Sequence, residues 1–508
     1  MTFARLAAKQ VIYNLKFMLK SSLLEILRTF SKQELIKFED FVRSPYFNKK
    51  ENVLKLFLEI RKYSPAFESE NLVKDKTWTA LFPGKVYNYG IMKNLIHDLG
   101  KLCESFLSEE VYSRNETQRS LDFLHSISSR NILNVFINKI ESAEKAFLKN
   151  FKSAKYDFLT DYYDGMRDLN HMKVRFLQAN EQFKKKDELV KSPEHLIFSF
   201  LIKCFETFHD VILNSLNYNS PVKSNISYLI LKELEDHSIL KNILEYTKEQ
   251  SPENYRVLEC YYSMYKALSV NDSLEYFNEF KNNLSQNSGL FSEAELRELY
   301  NGLLTSFGNR KITTNNFHHE YFSIIQIGFK NKIILKPDGT IDPGNFTSIV
   351  NVSCANDIKF TEEFIENYKD KIPLEFRENI YLYSMAVLNF SKKNFERSLE
   401  FIVKVQSNDL LMKFDIKHLQ LNIYYELNDR VAFDYSYDAL KHFIKRSNLT
   451  NESRIVTRVK HCEYIKALFA HRENYDAFKL SCLKEEITVN KTINKNWLLR
   501  KIGELENK

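Results

Sequence analysis

Turn-formers are nearly missing from this chain. Among 508 residues there are 11 Gly and 9 Pro, about a third of ordinary usage. Glycine supplies left-handed backbone and proline pre-set turns, so a chain this poor in both folds as helices joined by short polar loops. The fold class read from sequence is all-α. The same scarcity argues against several chemistries. No G-x-G, no G-x-x-x-x-G-K-[ST] and no G-x-S-x-G occurs. P-loop, dinucleotide-binding, kinase and nucleophile-elbow sites all depend on such glycines.

At this length a single hydrophobic core stops growing, so several core units are expected. A chain that is 44% hydrophobic and 27% charged folds rather than staying disordered. Cys103, Cys204, Cys260, Cys354, Cys462 and Cys482 are scattered, with no C-x-x-C among them. They read as small core residues in a reducing compartment, which points to the cytoplasm. The most apolar run, Leu196–Leu213, is interrupted by Lys203, Glu206, His209 and Asp210. Those groups are costly in lipid, so the run reads as a helix buried at the centre of the fold, not a membrane span. Residues 1–20 lack a signal-peptide core, and Met18 opens a better-patterned helix, so 1–17 read as an upstream extension.

Three regions are expected. Residues 1–114 form an N-terminal helical domain. Ser31-x-x-Glu34 is a capping box, Ser44-Pro45 ends that helix, and Asn48-x-x-Glu51 resembles a second cap. Positions 91, 95, 99, 102 and 106 make a helical stripe. Residues 115–247 form a central helical region, with one helix drawn over Tyr156–Phe176. From 248 to 508 the chain reads as helix pairs, with first helices starting near Pro252, Ser292, Gly344, Pro373, Asp409 and Asn451. Irregular pairs of this size suggest an α-solenoid, in which each pair buries its apolar face against its neighbours. Within it, 332–350 holds Pro337-Asp338-Gly339 between apolar triplets and predicts a short hairpin insertion.

Residues 373–447 resemble the tetratricopeptide repeat. Leu382, Met385, Ala386, Phe390, Phe395, Ser398, Leu399 and Ile402 fall where that repeat places its large and small core residues. The small Ala386 and Ser398 would let two helices cross closely. A degenerate unit follows, with Leu421, Tyr424, Tyr425 and Leu427, and with Tyr435 at the position that should be small. No unit has the Trp and Gly of the repeat's first helix. The whole chain is also similar to large all-helical proteins of bacteria through FVRSPYFN (41–48) and WTALFPGK (78–85); no activity comes with those motifs. The repeat resemblance implies a surface that binds a peptide or protein partner.

Two clusters bear on chemistry. Asp157, Asp161, Asp164 and Asp168 are spaced to share one helix face, continued by His171 and Arg175. With Asp434-x-x-x-Asp438, such carboxylates are reminiscent of the Mg²⁺-diphosphate sites of helical prenyl-transferring synthases. The reading preferred is a solvated face or a dock for a basic partner. The second cluster is basic. Residues 1–62 and 441–508 each carry a net +7, against −7 between them. Arg454 and Arg458 share a face, with Arg472 nearby, and could meet nucleic-acid phosphate or form the polar cap of a solenoid. The expectation is a non-catalytic interaction scaffold. No catalytic residue, cofactor or metal is expected; nucleic-acid binding through the basic ends is the alternative, and a carboxylate-metal enzyme a distant one.

Overall fold

The structure is a computed structural model that describes residues 22–69, 72–180, 188–218, 220–309, 317–336, 338–446, 452–490, 492 and 494–507. The described residues form 24 α-helices and no strands, so the all-α class holds. Two compact units divide between Ala143 and Glu144.

The first unit contains α1 (Ser22–Arg28), α2 (Lys32–Arg43), α3 (Glu51–Arg61), α4 (Lys74–Leu81), α5 (Tyr89–Arg114) and α6 (Glu116–Ser129), with the boundary falling in α7 (Leu133–Lys152). Its core is aromatic. Phe38 is fully buried and meets Phe30, Phe57 and Phe106 with ring centroids 5.6, 4.9 and 5.3 Å away. The capping box at Ser31 forms as read: Glu34 N donates to Ser31 Oγ, and Ser31 N donates to Glu34 Oε2. Asn48 does not cap α3. Its Oδ1 accepts from Lys50 N and its Nδ2 donates to Val42 O, which ties the loop back to α2 instead. The stripe on α5 holds at Leu95, Leu99 and Phe106, which are buried; Met92 and Cys103 are buried beside them, whereas Ile91 is exposed and Leu102 half-buried.

The second unit begins with α8 (Leu159–Ala179), α9 (Glu188–Tyr218), α10 (Ile226–Asp236), α11 (Ile239–Gln250), α12 (Pro252–Ser269), α13 (Leu274–Asn287), α14 (Glu293–Asn309) and α15 (Phe317–Lys330). There α9 packs on α8 and α12, and α12 also packs on α11, α13 and α14. The apolar run in α9 proves amphipathic rather than wholly buried. Phe198, Leu201, Ile202, Phe205 and Phe208 face the core, while Leu196, Ile197, Phe200 and Leu213 are exposed. No helix among the described residues is long and apolar enough to cross a membrane.

The remainder comprises α16 (Pro343–Ser353), α17 (Ile358–Tyr368), α18 (Leu374–Ser391), α19 (Phe395–Ile402), α20 (Leu410–Glu426), α21 (Arg430–Arg446), α22 (Glu452–Glu473), α23 (Ala477–Val489) and α24 (Lys495–Glu506). Packing here runs mainly between near neighbours in sequence: α18 on α16, α17 and α19, α20 on α19 and α21, α22 on α20 and α21. Ala386 and Ser398 are both fully buried, and Ser398 Oγ donates to Ala386 O at 2.7 Å. Small side chains let α18 and α19 approach to that distance. Tyr435, by contrast, does not stand at a crossing. It is 78% exposed, and Phe433, Tyr437 and Leu440 turn inward in its place.

At 332–350, where a hairpin is expected, the described residues form a turn but no strands. Gly339 N donates to Lys336 O and Lys336 N to Thr340 O, with Gly339 at φ 77°. This is the closing turn of a hairpin with left-handed glycine at the bulge. No ladder grows from it. Ile341 N donates to Lys371 O instead, and Asp342 caps α16 through Gly344 N and Asn345 N. Pro337 lies outside the described residues.

Candidate functional site

The aspartate stripe is shorter than its spacing suggested. Helix α8 starts at Leu159 with Phe158 at its N-cap, so Asp157 precedes it and only Asp161, Asp164 and Asp168 lie on it. Asp164 takes an ion pair from Lys203 Nζ of α9 at 2.5 Å. Burial would raise its pKa, but the bond from Lys203 and that ammonium's charge hold it below its ordinary value. Asp168 pairs with Arg167 at 2.7 Å. Asp161 is pushed up by partial burial, then by Asp164 and Asp157. Asp434 pairs with Arg430 of its own helix at 2.9 Å. Among the described residues, no three His, Cys, Asp or Glu side chains are grouped to hold a metal ion.

The basic cluster is only partly described. The side chains of Arg454 and Arg458 lie outside the described residues. Arg472 is committed within the fold: its Nη1 donates to Tyr425 O at 2.5 Å, and its guanidinium lies 3.7 Å from the Tyr425 ring centroid. It satisfies a carbonyl at the C-terminal end of α20, where basic groups are favoured.

Five of the six thiols are buried and Cys482 is exposed. Burial raises Cys103 and Cys260 to about 12 and Cys354 to about 11, far from the thiolate form that reacts. Cys462 Sγ lies 3.7 Å from His418 Nε2. His418 Nδ1 faces Phe414 O at 2.7 Å. A carbonyl only accepts, so Nδ1 carries the proton and Nε2 accepts from the thiol. Both residues are 3% exposed, so the pair is sealed from substrate.

A buried acidic trio went unread in the sequence. Glu295 has no exposed surface. Its Oε1 accepts from Tyr261 at 2.6 Å and its Oε2 accepts from Leu159 N at 3.2 Å. Glu206 Oε1 lies 3.2 Å from the same Tyr261 hydroxyl. Burial raises Glu295 to about 8 and Glu206 to about 7. The sequence carried one signal. Ser292-x-x-Glu295 has the form of a capping box, and Glu295 N does donate to Ser292 Oγ at 3.1 Å. Glu295 then reaches away from its own helix and caps α8.

Among the described residues of the second unit, one open cleft of about 270 Å³ is lined by residues of α10, α11 and α12, including Glu235, Lys241, Glu245, Lys248, Tyr255 and Tyr262. Lys241 and Lys248 are seven residues apart on α11, and Tyr255 and Tyr262 seven apart on α12. The turn at Ser238, in left-handed conformation, folds α11 back after α10. Lys248 Nζ lies 5.5 Å from the Tyr255 ring centroid. Glu235 is already engaged by Lys266 at 2.7 Å and by Tyr262 at 3.4 Å. No feature of the sequence marked this cleft, because its walls come from helices whose pairing the spacing does not reveal. No protein-family model, curated protein or solved structure matches the chain.

Proposed function

We propose that the protein is a non-catalytic binding protein that offers the helical surface of its Glu144–Lys508 unit to a peptide or protein partner. The cleft between α10, α11 and α12 is the observation that supports this reading. Seven residues along a helix are two turns, about 10 Å. Each wall therefore presents a side-chain pair at that spacing: lysines on one side, tyrosines on the other. An extended peptide covers that length in about three residues. Tyrosines give large contact area with little conformational freedom to lose; Lys241 is paired with Glu245 at 3.8 Å, which leaves Lys248 as the cation offered to an acidic side chain of the partner. Nearest-neighbour packing from α16 onward fits a repeat-like scaffold.

The test is a photo-crosslinking side chain placed at position 241 in the native host. One reproducible protein adduct is expected. It should disappear when Tyr255 and Tyr262 are both changed to Ala and persist when the exposed Lys479 is changed. An adduct pattern indifferent to the two tyrosines would refute the reading.

A further inference from the structure

We infer that Glu206, Tyr261 and Glu295 hold one shared proton, and that this proton latches the start of α8 to α9, α12 and α14. The argument is one of donor counting. Tyr261 has a single hydroxyl proton. It faces Glu295 Oε1 at 2.6 Å and Glu206 Oε1 at 3.2 Å. Both contacts are hydrogen bonds only if one carboxyl is itself protonated and donates to the tyrosine oxygen. With both ionised, two carboxylates converge on one proton, and one of them faces a lone pair.

The surroundings favour retaining the proton. Glu295 is fully buried, and an unpaired buried charge is costly. From α8, Asp161 adds negative charge beside Glu295, and the neutral Tyr163 packs near it. From α12 come Tyr261 itself and the thiol of Cys260. On Glu206, Glu298 of α14 and Asp210 of α9 add negative charge, opposed by the Tyr261 hydrogen bond and by Lys203. The two carboxyls titrate as a pair.

The geometry sets the consequence. Phe158 gives α8 no side-chain cap, so the N–H of Leu159, the first helical residue, relies on Glu295 Oε2. Ser292 Oγ donates to Asp157 O at 2.7 Å just before it. The start of α8 is thus held by one stretch, 292–295. When the proton leaves, through the half-buried Glu206 and into solvent, repulsion between Glu206 and Glu295 pushes that stretch from α9. The turn around Asp157–Asp161 then loosens.

The experiment uses the full chain. Infrared spectra read the protonated carboxyl, and hydrogen exchange, corrected for its intrinsic pH dependence, reads the amides of Leu159 and Asp161. A protonated-carboxyl band is expected at about pH 6 and gone by about pH 9. Exchange at those amides should accelerate about tenfold or more over the same range. Glu295→Gln keeps both acceptor and donor without the charge, so it should move the loss of the band to lower pH and flatten the exchange profile. Glu206→Gln, at the less buried position, should do the same and carries the test if the first variant misfolds. No carboxyl band in the wild type, a band whose pH dependence neither substitution moves, or exchange that does not follow it would overturn the latch.

Discussion

Lys501 and Glu426 form an ion pair of 2.8 Å with side chains only 7% and 5% exposed. The pair fastens α24, the last helix, to the end of α20. Glu426 also accepts from Trp497 Nε1 at 2.9 Å, and Lys501 also reaches Glu504 at 2.7 Å. A carboxylate at a helix C-terminus opposes the helix dipole, and Lys501 neutralises it. Lys501→Met would leave Glu426 buried and uncompensated, which is expected to cost about 3–5 kcal/mol. Adding Glu426→Leu should recover much of that loss. Denaturant unfolding of the single and double variants measures both, and a neutral Lys501→Met would show that the pair contributes nothing.

Arg472 serves the same helix end by another route. It stacks on Tyr425 and donates to that residue's carbonyl. Arg472→Lys keeps the charge but loses the planar stack and the fixed donor fork. Stability is expected to fall by about 1–3 kcal/mol. If the arginine instead served phosphate contact, the substitution would leave thermal stability unchanged and weaken RNA binding at low salt.

Helix starts were the most legible part of the sequence. First helices expected near Pro252, Ser292, Gly344, Pro373, Asp409 and Asn451 begin at Pro252, Glu293, Pro343, Leu374, Leu410 and Glu452. Pro and side-chain caps are local signals, and they act within a turn of where they stand. Facing was less legible. On α5, Leu95, Leu99 and Phe106 face inward as expected but Met92 and Cys103 are buried in place of Ile91 and Leu102, and Tyr435 points outward, because burial is decided by the neighbouring helix. Least legible were groups completed across the chain. Glu295 serves Leu159, 136 residues away, and Asp342 passes the 336–340 turn into a helix rather than a strand. Nothing local encodes either choice.

Two helical glycines should respond oppositely to the same substitution. A Cβ on Gly328 would lie 2.6 Å from Ile334 Cδ1 and 2.7 Å from Tyr300 Oη. The Tyr300 ring is buried, and its hydroxyl is held by Ile324 O at 2.6 Å, so it cannot retreat. Gly328→Ala is expected to destabilise by about 1–3 kcal/mol through overpacking. A Cβ on Gly302 would meet Met264 Sδ at 2.5 Å. A thioether chain can turn aside, and alanine favours the helix by about 1 kcal/mol. Gly302→Ala should therefore stay within about 1 kcal/mol of the parent. Equal melting shifts for the two would contradict this difference.

The pH dependence of the second unit follows from His209, which joins α9 to α14, and Glu295, which joins α14 to α8 and α12. His209 is buried, with Nε2 3.0 Å from Thr305 Oγ1, and burial lowers its pKa below the ordinary 6.5 despite Asp210. The unfolded chain therefore takes up a proton below 6.5 that the fold refuses, and stability falls as pH drops through that value. The carboxyl pair acts in the other sense. The fold keeps a proton up to about 7 to 8, which the unfolded chain releases above 4.5, so stability falls as pH rises across that window. Between 4.5 and 6.5 the two effects oppose each other; above 6.5 only the carboxyls act, and stability should decline toward pH 8. His209→Gln removes the acid-side penalty, so its stability should climb steadily from pH 8 down to 4.5. Glu295→Gln should shrink the decline above 6.5 and leave the acid-side loss in place. Thermal unfolding of the three proteins across this range provides the measurement, and parallel curves for all three would refute both assignments.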